Sequence, residues 1–210
     1  MIEILLADDH ALFREGLKQI LAKHPDLHIV EEVGNGDDVL QKVRLRSYDL
    51  VVLDISMPGQ SGWDVLAEIK SEQPDLPVLI LSMYPENQYA IRMLKAGAAG
   101  YVSKESVSDE LIAAIRKVAG GGKYVSPAIA EKLAFEIERR SDKLPHQLLS
   151  NREFQVLSML TSGKTLSEIA DTLHLSEKTI TTYRARIFEK LGVRNNVELT
   201  HYALQHKLVE

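Results

Sequence analysis

Two adjacent carboxylates follow the first apolar run of the chain, in the stretch LLADDHALF, where Asp8 and Asp9 stand side by side. Like charges at neighbouring positions repel, so such a pair destabilises a strand end unless a positive group lies between the two side chains. A divalent cation is the candidate for that positive group, together with a phosphoryl group that the cation would bind. The chain holds no cysteine, which excludes disulfides and thiolate metal sites.

Three further polar residues stand at the ends of later apolar runs, namely Asp54, Ser82 and Lys104. Neighbouring parallel strands lie about 4.8 Å apart, so these side chains and the acidic pair can meet in one pocket. Three carboxylates suit Mg²⁺ (or Mn²⁺), while Lys104 and Ser82 suit phosphoryl oxygens. The carboxylate of Asp54 can then attack a phosphorus atom in line.

Each of these five residues has a simpler explanation when it is taken alone. A single aspartate at a strand end usually caps a turn or helix, a lone lysine is usually solvated, and an acidic pair can cap the next helix. The presence of all five at the ends of successive apolar runs favours a shared site.

The elements that must position these residues are five short apolar runs, each followed by residues at helical spacing. This alternation predicts an α/β domain with a five-stranded parallel, doubly wound, flavodoxin-like sheet covered on both faces. Sites in such sheets lie beyond the carboxyl ends of the strands, where the polar residues stand. The predicted strands are residues 2–7, 27–33, 49–54, 76–82 and 99–104.

The strand pattern stops near residue 121, and the remainder of the chain is helical. A helix with Pro127 at its first position leads to a polar segment at residues 141–148, the predicted linker tip. Serine and threonine caps at Ser150, Thr165 and Ser176 then predict an all-α, four-helix domain of the helix-turn-helix type. The predicted organisation is a first domain at 1–120, a linker with a helix at 121–148 and a second domain at 149–210.

Charge is distributed unevenly along the chain, whose net charge is −5. Residues 1–145 carry 17 basic and 23 acidic residues, whereas residues 146–210 carry 8 and 7. The basic excess concentrates in the predicted third helix of the second domain, which favours DNA as a partner. A solvated basic helix or a dimerisation module remains the alternative. The predicted DNA contacts are Thr165, Lys178, Thr181, Thr182, Tyr183, Arg184 (backbone or packing role first), Ala185, Arg186 and Lys190.

Residues 1–120 resemble the receiver domain of bacterial two-component response regulators, through "ADDH" (7–10), "LDISMPGQSG" (53–62), "LS" (81–82) and "GYVSK" (100–104). The resemblance implies that Asp54 accepts a phosphoryl group from a sensor histidine kinase. It also implies that Asp8, Asp9 and Asp54 hold Mg²⁺ together with the backbone carbonyl of Ser56. Most receivers have proline after the lysine, where this chain has Glu105. The cis peptide bond that is usual at this position is therefore not assumed for this chain.

The same resemblance gives the remaining receiver residues their implied roles. Ser82 and Lys104 bind the phosphoryl group, and Tyr101 swings inward when the serine hydroxyl moves. Ser56 and Tyr84 occupy positions that tune the lifetime of the phosphate in this family. The implied activity is that of a switch rather than an enzyme, with at most self-phosphorylation and autodephosphorylation.

Residues 149–207 resemble the LuxR/NarL-type DNA-binding domain, through "LSNREFQVL", "EIADTLHLSEKTI" and "KLGV". Many members have lysine at the position of Thr181 and histidine at that of Tyr183, so the base preference can differ here. The stretch "TYRARIFEKL" followed by "VELTHYALQH" resembles a subgroup of global regulators of secondary metabolism and virulence. The fourth helix commonly forms the dimer contact, for which the candidates are Val197, Leu199, Tyr202 and Leu204, with core packing as the alternative.

Together these features predict a cytoplasmic response regulator that binds double-stranded promoter DNA and forms a homodimer when phosphorylated. Its further partners are a sensor histidine kinase and, as an open candidate, RNA polymerase. No apolar run approaches the roughly 20 residues that span a bilayer, and no signal peptide is visible, so a membrane is not expected as a partner.

Two rival functions fit parts of the same pattern. A Mg²⁺-dependent phosphohydrolase uses a similar set of carboxylates and a lysine, but it usually needs a further acid or a cap domain. A DNA-binding protein that works without phosphorylation could keep the first domain as a dimerisation scaffold, but a scaffold has no need of Lys104 or Ser82. A P-loop nucleotide switch is excluded because the chain has no G-x-x-x-x-G-K-[ST] sequence.

Overall fold

The chain divides into two compact units, Met1–Glu136 and Ile137–Glu210. Each is considered by itself below. The computed structural model describes residues 1–84, 86–106, 109–138, 144–206 and 208–209.

The first unit is a five-stranded parallel sheet with helices between its strands, which confirms the predicted α/β fold. The strand order is β2-β1-β3-β4-β5, and every neighbouring pair is parallel. The strands are β1 (Ile2–Ala7), β2 (Leu27–Val33), β3 (Leu50–Leu53), β4 (Val78–Ser82) and β5 (Gly100–Ser103). The helices are α1 (Ala11–Leu21), α2 (Gly36–Leu45), α3 (Gly62–Glu72), α4 (Glu86–Lys95) and α5 (Asp109–Ala119). The next helix, α6 (Pro127–Glu138), lies in this unit except for its last two residues.

The central strands are buried on both faces, as a sheet covered by two layers of helices requires. Every residue of β3 and β4 is buried, and both strands consist almost wholly of branched apolar residues. The α5 helix packs its apolar stripe, Leu111, Ile115 and Val118, into the same core. This packing holds the carboxyl ends of β1, β3 and β5 at one edge of the sheet.

Gly62 allows α3 to begin directly against the end of β3. A Cβ atom at this position would lie 2.4 Å from the carbonyl oxygen of Asp54 and 2.7 Å from the Cα of Ile55. The next turn is secured by Ser61, whose hydroxyl accepts a hydrogen bond from the backbone N–H of Asp64. The loop that carries Asp54 is therefore packed tightly between strand and helix.

The second unit is helical, and its first complete element is a short 3-10 turn, Pro145–Leu148. Its helices are α7 (Asn151–Thr161), α8 (Leu166–Leu173), α9 (Glu177–Leu191) and α10 (Asn196–Gln205). The predicted caps are confirmed, because the side chains of Ser150, Thr165 and Ser176 each accept a hydrogen bond from the helix they precede. The linker tip predicted at 141–148 falls partly on residues 139–143, which lie outside the described residues.

Two left-handed residues shape the connections of this unit. His174, with φ of 53°, ends α8 and starts the tight turn into α9. Gly192, with φ of 68°, ends α9, and glycine adopts this conformation without strain. The inner face of α9 is apolar, since Ile180, Ile187 and Leu191 are all buried.

Candidate functional site

A buried cluster of two carboxylates and one ammonium group lies at the carboxyl edge of the sheet. Asp8, Asp54 and Lys104 follow β1, β3 and β5, and each is less than a tenth exposed. Lys104 Nζ donates to Asp54 Oδ2 over 2.7 Å and lies 2.6 Å from Asp8 Oδ2. The contact with Asp8 is a buried ion pair. The structure thus brings together three residues that lie 46 to 96 positions apart in the chain.

Burial and the neighbouring opposite charges act in opposite directions on the pKa values of this cluster. Burial raises the pKa of Asp54 to about 6, although the charge and hydrogen bond of Lys104 act in the opposite direction. Burial would lower the pKa of Lys104, but the carboxylates of Asp54 and Asp8 outweigh it and raise that pKa. Lys104 therefore stays charged, while Asp54 is only just ionised near neutral pH.

The acidic residues fit a divalent cation. Asp8, Asp9, His10 and Asp54 each offer a ligand atom, and these four atoms lie within 4.8 Å of one another. Asp8 Oδ2 and Asp9 Oδ1 are shielded from solvent, and their close partners are Lys104 Nζ and His10 Nδ1 respectively. Oxygen atoms of this kind are the ligands that Mg²⁺ prefers. The donor set therefore matches a hard divalent ion.

A series of hydrogen bonds leads from Asp54 to β5. The backbone N–H of Ser56 donates to Asp54 Oδ1 over 3.1 Å, and its hydroxyl donates to the hydroxyl of Tyr84 over 3.3 Å. The backbone N–H of Tyr84 donates to Ser82 Oγ over 3.1 Å. The hydroxyl of Tyr101 donates to the carbonyl of Tyr84 over 2.7 Å. Ser82 and Tyr101 are fully buried, and burial raises the pKa of the Tyr101 hydroxyl.

Three residues near the cluster were not predicted as site residues from the sequence, and they lie in the first turn of α1 or directly before it. His10 Nδ1 lies 2.8 Å from Asp9 Oδ1. The ring of Phe13 lies under Lys104 Nζ, 4.8 Å from ring centre to nitrogen, a cation–π contact. Arg14 donates to the carbonyl of Asp8 over 2.5 Å. The available signal was the helix that begins directly after the acidic pair, which must carry its first turn over the pocket.

The peptide bond after Lys104 does not have the cis form that proline favours at this position. All the peptide bonds of the described residues are trans, including the one between Lys104 and Glu105. The ammonium group nevertheless reaches both carboxylates. Glu105 therefore does not displace the lysine from the pocket.

An apolar groove opens beside the acidic cluster. Its volume is about 510 Å³, and its walls come mainly from α1. Leu12 and Met83 are 87% and 63% exposed at its rim, an unusual exposure for such large apolar side chains. The lining residues are His10, Leu12, Phe13, Gly16, Leu17, Ile20, Met83 and Lys104. Because His10 and Lys104 also belong to the cluster, groove and cluster are continuous.

In the second unit, α9 presents a polar, positively charged face. Lys178, Thr182, Tyr183 and Arg186 line a shallow concavity of about 300 Å³ together with Thr179. Thr181, Thr182 and Ala185 are exposed, and the two threonine hydroxyls donate to helix carbonyls one turn earlier. Their methyl groups and remaining lone pairs therefore face outward in fixed orientations.

Three of the predicted DNA contacts have structural roles within the second unit. The Lys190 ammonium donates to Glu153 Oε2 over 2.6 Å, and Glu153 is only 3% exposed. This ion pair gives Lys190 a role in the packing of α9 against α7, beside the predicted DNA contact, which stays a prediction. The guanidinium carbon of Arg184 lies 5.3 Å from the ring centre of Phe188. This contact fits the packing role that the sequence favours first for Arg184. Thr165 caps α8 through a reciprocal pair of hydrogen bonds with Glu168.

Fewer of the candidate dimer-contact side chains of α10 are exposed than the sequence suggested. Leu199 is fully buried and belongs to the core, so it is not available for a dimer contact. Val197 and Leu204 are 79% and 52% exposed and line a shallow apolar depression with Thr200 and His201. The hydroxyl of Tyr202 lies 3.2 Å from His146 Nδ1, which ties α10 to the turn before α7.

Comparison with known families accounts for both units. Residues 4–116 match the response regulator receiver domain, and residues 147–203 match the bacterial regulatory proteins of the luxR family. The chain therefore belongs to the two-component response regulators, in the branch that joins a receiver domain to a LuxR-type DNA-binding domain. These proteins act as phosphorylation-dependent switches of transcription, and so does this chain.

Individual relatives align over almost the whole chain. Response regulator UvrY of Escherichia coli strain K12 is 38% identical over 99% of this chain and 96% of its own length. Response regulator GacA of Pseudomonas aeruginosa is 37% identical over 100% of this chain and 99% of its own. RcsB of Salmonella enterica serovar Typhimurium, bound to promoter rprA in the presence of phosphomimetic BeF3⁻, is similar in structure. Its TM-score is 0.64 at 26% identity, covering 96% of this chain and 98% of that chain.

Within the part of the chain that the structure covers, no helix has both the length and the apolar character needed to cross a membrane.

Proposed function

We propose that Asp54 is the phosphoacceptor of this response regulator and that its phosphorylation controls dimerisation and promoter binding. The observation that carries the proposal is the buried contact of Lys104 with both Asp54 and Asp8. A carboxylate held beside a cation in a pocket shielded from water is suited to accept a phosphoryl group and to retain it. Nothing in simple core packing requires such a costly arrangement.

In the proposed transfer, Asp54 attacks the phosphorus atom of a phosphohistidine on a sensor kinase. The new bond joins a carboxylate oxygen to phosphorus, and the phosphorus–nitrogen bond breaks, so that the histidine leaves with the electron pair. Lys104 moves its ammonium from the carboxylate to a phosphoryl oxygen, and the Ser82 hydroxyl donates to another. Self-phosphorylation from a small phosphodonor and autodephosphorylation by water would use the same groups.

We place the cation ligands at Asp8, Asp9, Asp54 and the backbone carbonyl of Ser56. Bound there, Mg²⁺ (or Mn²⁺) supplies positive charge that offsets the charge of the phosphoryl oxygens. The grouping of ligand atoms from Asp8, Asp9 and Asp54 within 4.8 Å of one another supports this assignment. Arg14 assists by bonding the Asp8 carbonyl, which fixes the backbone on which both carboxylates stand.

Tyr101 is proposed to report the phosphorylated state to the outer face of the receiver. The Ser82 hydroxyl accepts from the backbone of Tyr84, and the carbonyl of Tyr84 in turn accepts from Tyr101. When Ser82 turns to the phosphoryl group, the loop that carries Tyr84 follows it. The Tyr101 ring then swings inward, so that this face has one arrangement with the phosphoryl group and another without it.

The apolar groove along α1 is the proposed docking surface for the sensor histidine kinase. It is continuous with the acidic cluster through His10 and Lys104. A kinase that delivers phosphohistidine to Asp54 must cover this opening, and the exposed Leu12 and Met83 offer apolar area for that contact. Closure of the groove would also exclude water during the transfer.

The output of the switch is proposed to be binding of double-stranded promoter DNA through α9. Lys178 and Arg186 contact phosphates, while Thr182, Thr181 and Ala185 meet base edges. Tyr183 reaches a phosphate through its hydroxyl, and Thr165 presents the start of α8 to the backbone of the DNA. Support comes from the exposed polar face of α9 and from the related RcsB, which was solved with promoter DNA.

The remaining assignments follow from this output. We propose a homodimer joined through Val197 and Leu204 of α10, a cytoplasmic location where the promoter is accessible, and RNA polymerase as a further partner. We propose a receiver at residues 1–120, a linker with α6 at 121–148 and a DNA-binding domain at 149–210.

The test combines intact-mass measurement with DNA binding, using Mg²⁺ and acetyl phosphate on wild type and on Asp54→Asn. We expect a mass gain of one phosphoryl group, its loss in the variant, and tighter promoter binding by the phosphorylated protein only. Phosphorylation without any change in dimerisation or DNA binding would contradict the proposed output. Sustained hydrolysis of a small phosphate ester over many cycles would instead indicate a phosphohydrolase.

A further inference from the structure

We propose that His10 is a further ligand of the cation in the acidic pocket, and that its imidazole biases the site towards divalent transition metals over Mg²⁺. The proposal rests on the proposed cation site of Asp8, Asp9 and Asp54, which it extends by one ligand. It concerns the choice of metal rather than the transfer of the phosphoryl group.

The positions of three donor atoms carry the proposal. His10 Nδ1 lies 2.8 Å from Asp9 Oδ1 and 3.3 Å from Asp8 Oδ1. Neighbouring ligands of an octahedral ion with bonds of about 2.1 Å are about 3 Å apart. The imidazole nitrogen therefore lies from each of the two carboxylate oxygens at about the distance that separates adjacent ligands of one ion. One ligand atom from each of Asp8, Asp9, His10 and Asp54 lies within 4.8 Å of the other three.

The backbone explains why His10 is held over the pocket rather than pointing away from it. His10 is the residue before α1, in an extended conformation, and its N–H donates to Asp8 Oδ1 over 2.8 Å. This bond turns the chain back over the acidic pair. The side chain remains 62% exposed, so the ring can adjust and an ion can enter beside it.

The chemistry of imidazole gives the bias its direction. Nitrogen donors bind first-row transition ions such as Fe²⁺, Co²⁺, Ni²⁺ and Zn²⁺ well, whereas Mg²⁺ prefers oxygen donors and water. A pocket made only of carboxylates and a carbonyl has no such preference beyond the general order of affinities. With His10 as a ligand, the phosphoacceptor site takes a transition ion in preference to Mg²⁺ when both are present.

Co²⁺ is the probe of choice, because it favours the same octahedral geometry and is paramagnetic. Affinities for Co²⁺ and Mg²⁺ are measured by calorimetry on the full-length, unphosphorylated chain, for wild type, His10→Ala and His10→Gln. The matched control is His28→Ala, which removes an exposed histidine of β2 in the same unit. A proton NMR spectrum of the Co²⁺ form seeks the strongly shifted ring N–H signal of a ligating histidine.

We expect the ratio of Co²⁺ to Mg²⁺ affinity to fall roughly tenfold in His10→Ala and His10→Gln, in the range that loss of a supporting group costs a metal site. The shifted ring signal should be present in wild type and His28→Ala and absent from both His10 variants. An unchanged ratio without any shifted histidine signal would overturn the role of His10 and leave the carboxylate site intact. Failure of wild type to bind either ion would overturn the cation site itself, and the role of His10 with it.

Discussion

At the scale of single residues, the burial of Asp54 makes the receiver sensitive to pH. Its carboxyl group binds a proton more tightly in the folded protein, with a pKa of about 6, than in the unfolded chain. The resulting stabilisation is fully present below about pH 4 and is lost as the pH rises through about 6. Without divalent cations, we expect wild type to lose up to about 3 kcal/mol relative to Asp54→Asn between these limits. Urea denaturation at several pH values measures the difference, and parallel curves for the two proteins would contradict the prediction.

Lys104 is the residue whose loss should cost the receiver most. Lys104→Met leaves the buried carboxylates of Asp54 and Asp8 without their positive partner. We expect the unfolding free energy to fall by about 3 kcal/mol at neutral pH, and by less near pH 5, where Asp54 takes up a proton. The matched control is the exposed Lys23 of the same unit, where Lys23→Met should change stability by less than about 0.5 kcal/mol. Equal effects of the two variants would show that the buried ion pairs contribute little.

At the scale of elements, the charge on α9 predicts how DNA binding responds to salt. Lys178→Ala and Arg186→Ala should each weaken binding to all sequences and reduce the slope of log affinity against log salt by about 1. Thr182→Ala should instead alter the preference among sequences and leave the slope unchanged. Fluorescence anisotropy with promoter and scrambled duplexes, from low to physiological salt, separates these two effects. A slope that neither basic variant changes would exclude α9 as the phosphate-contacting element.

Lys190, on the same helix, should behave differently from its neighbours. Burial would raise the pKa of Glu153, but hydrogen bonds from Lys190 and Ser150 lower it, so Glu153 remains charged in the core. Lys190→Met should therefore cost about 1–2 kcal/mol of stability, after allowance for the partial exposure of the ammonium group, with no change in the salt slope. Thermal denaturation beside anisotropy makes the comparison, and a reduced slope at unchanged stability would instead support Lys190 as a DNA contact.

At the scale of the whole molecule, a dimer is expected to form through the small apolar surface of α10. Val197→Glu combined with Leu204→Glu should preserve the fold, because both side chains are largely exposed, yet weaken dimerisation of the phosphorylated protein. Light scattering with and without acetyl phosphate measures the assembly, and circular dichroism checks the fold. Leu199→Glu provides the contrast, since burying a charge at a fully enclosed position should unfold the second unit. A phosphorylated dimer that survives the double substitution would place the interface elsewhere.

Much of this protein follows from short stretches of the sequence itself. The alternation of apolar runs and helical spacing predicts the five parallel strands, and the sequences after Ser150, Thr165 and Ser176 predict where three helices start. The acidic pair and the residues at the ends of β3, β4 and β5 predict the pocket. These features are decided by neighbours a few positions away, or by the rule that parallel strands end at one edge, so they can be derived before any packing is known.

The tertiary structure decided which of several similar side chains does what. Lys178 and Lys190 lie on one helix, but Lys190 is bonded to Glu153 because α9 packs against α7 at that point. Val197 and Leu199 are two residues apart, yet Leu199 is buried in the core and Val197 is exposed. His10 joined the acidic cluster because its backbone bonds back to Asp8. Such assignments depend on contacts between residues distant in the chain or on the path of the backbone in space, where the burial of one charge or ring fixes its partner.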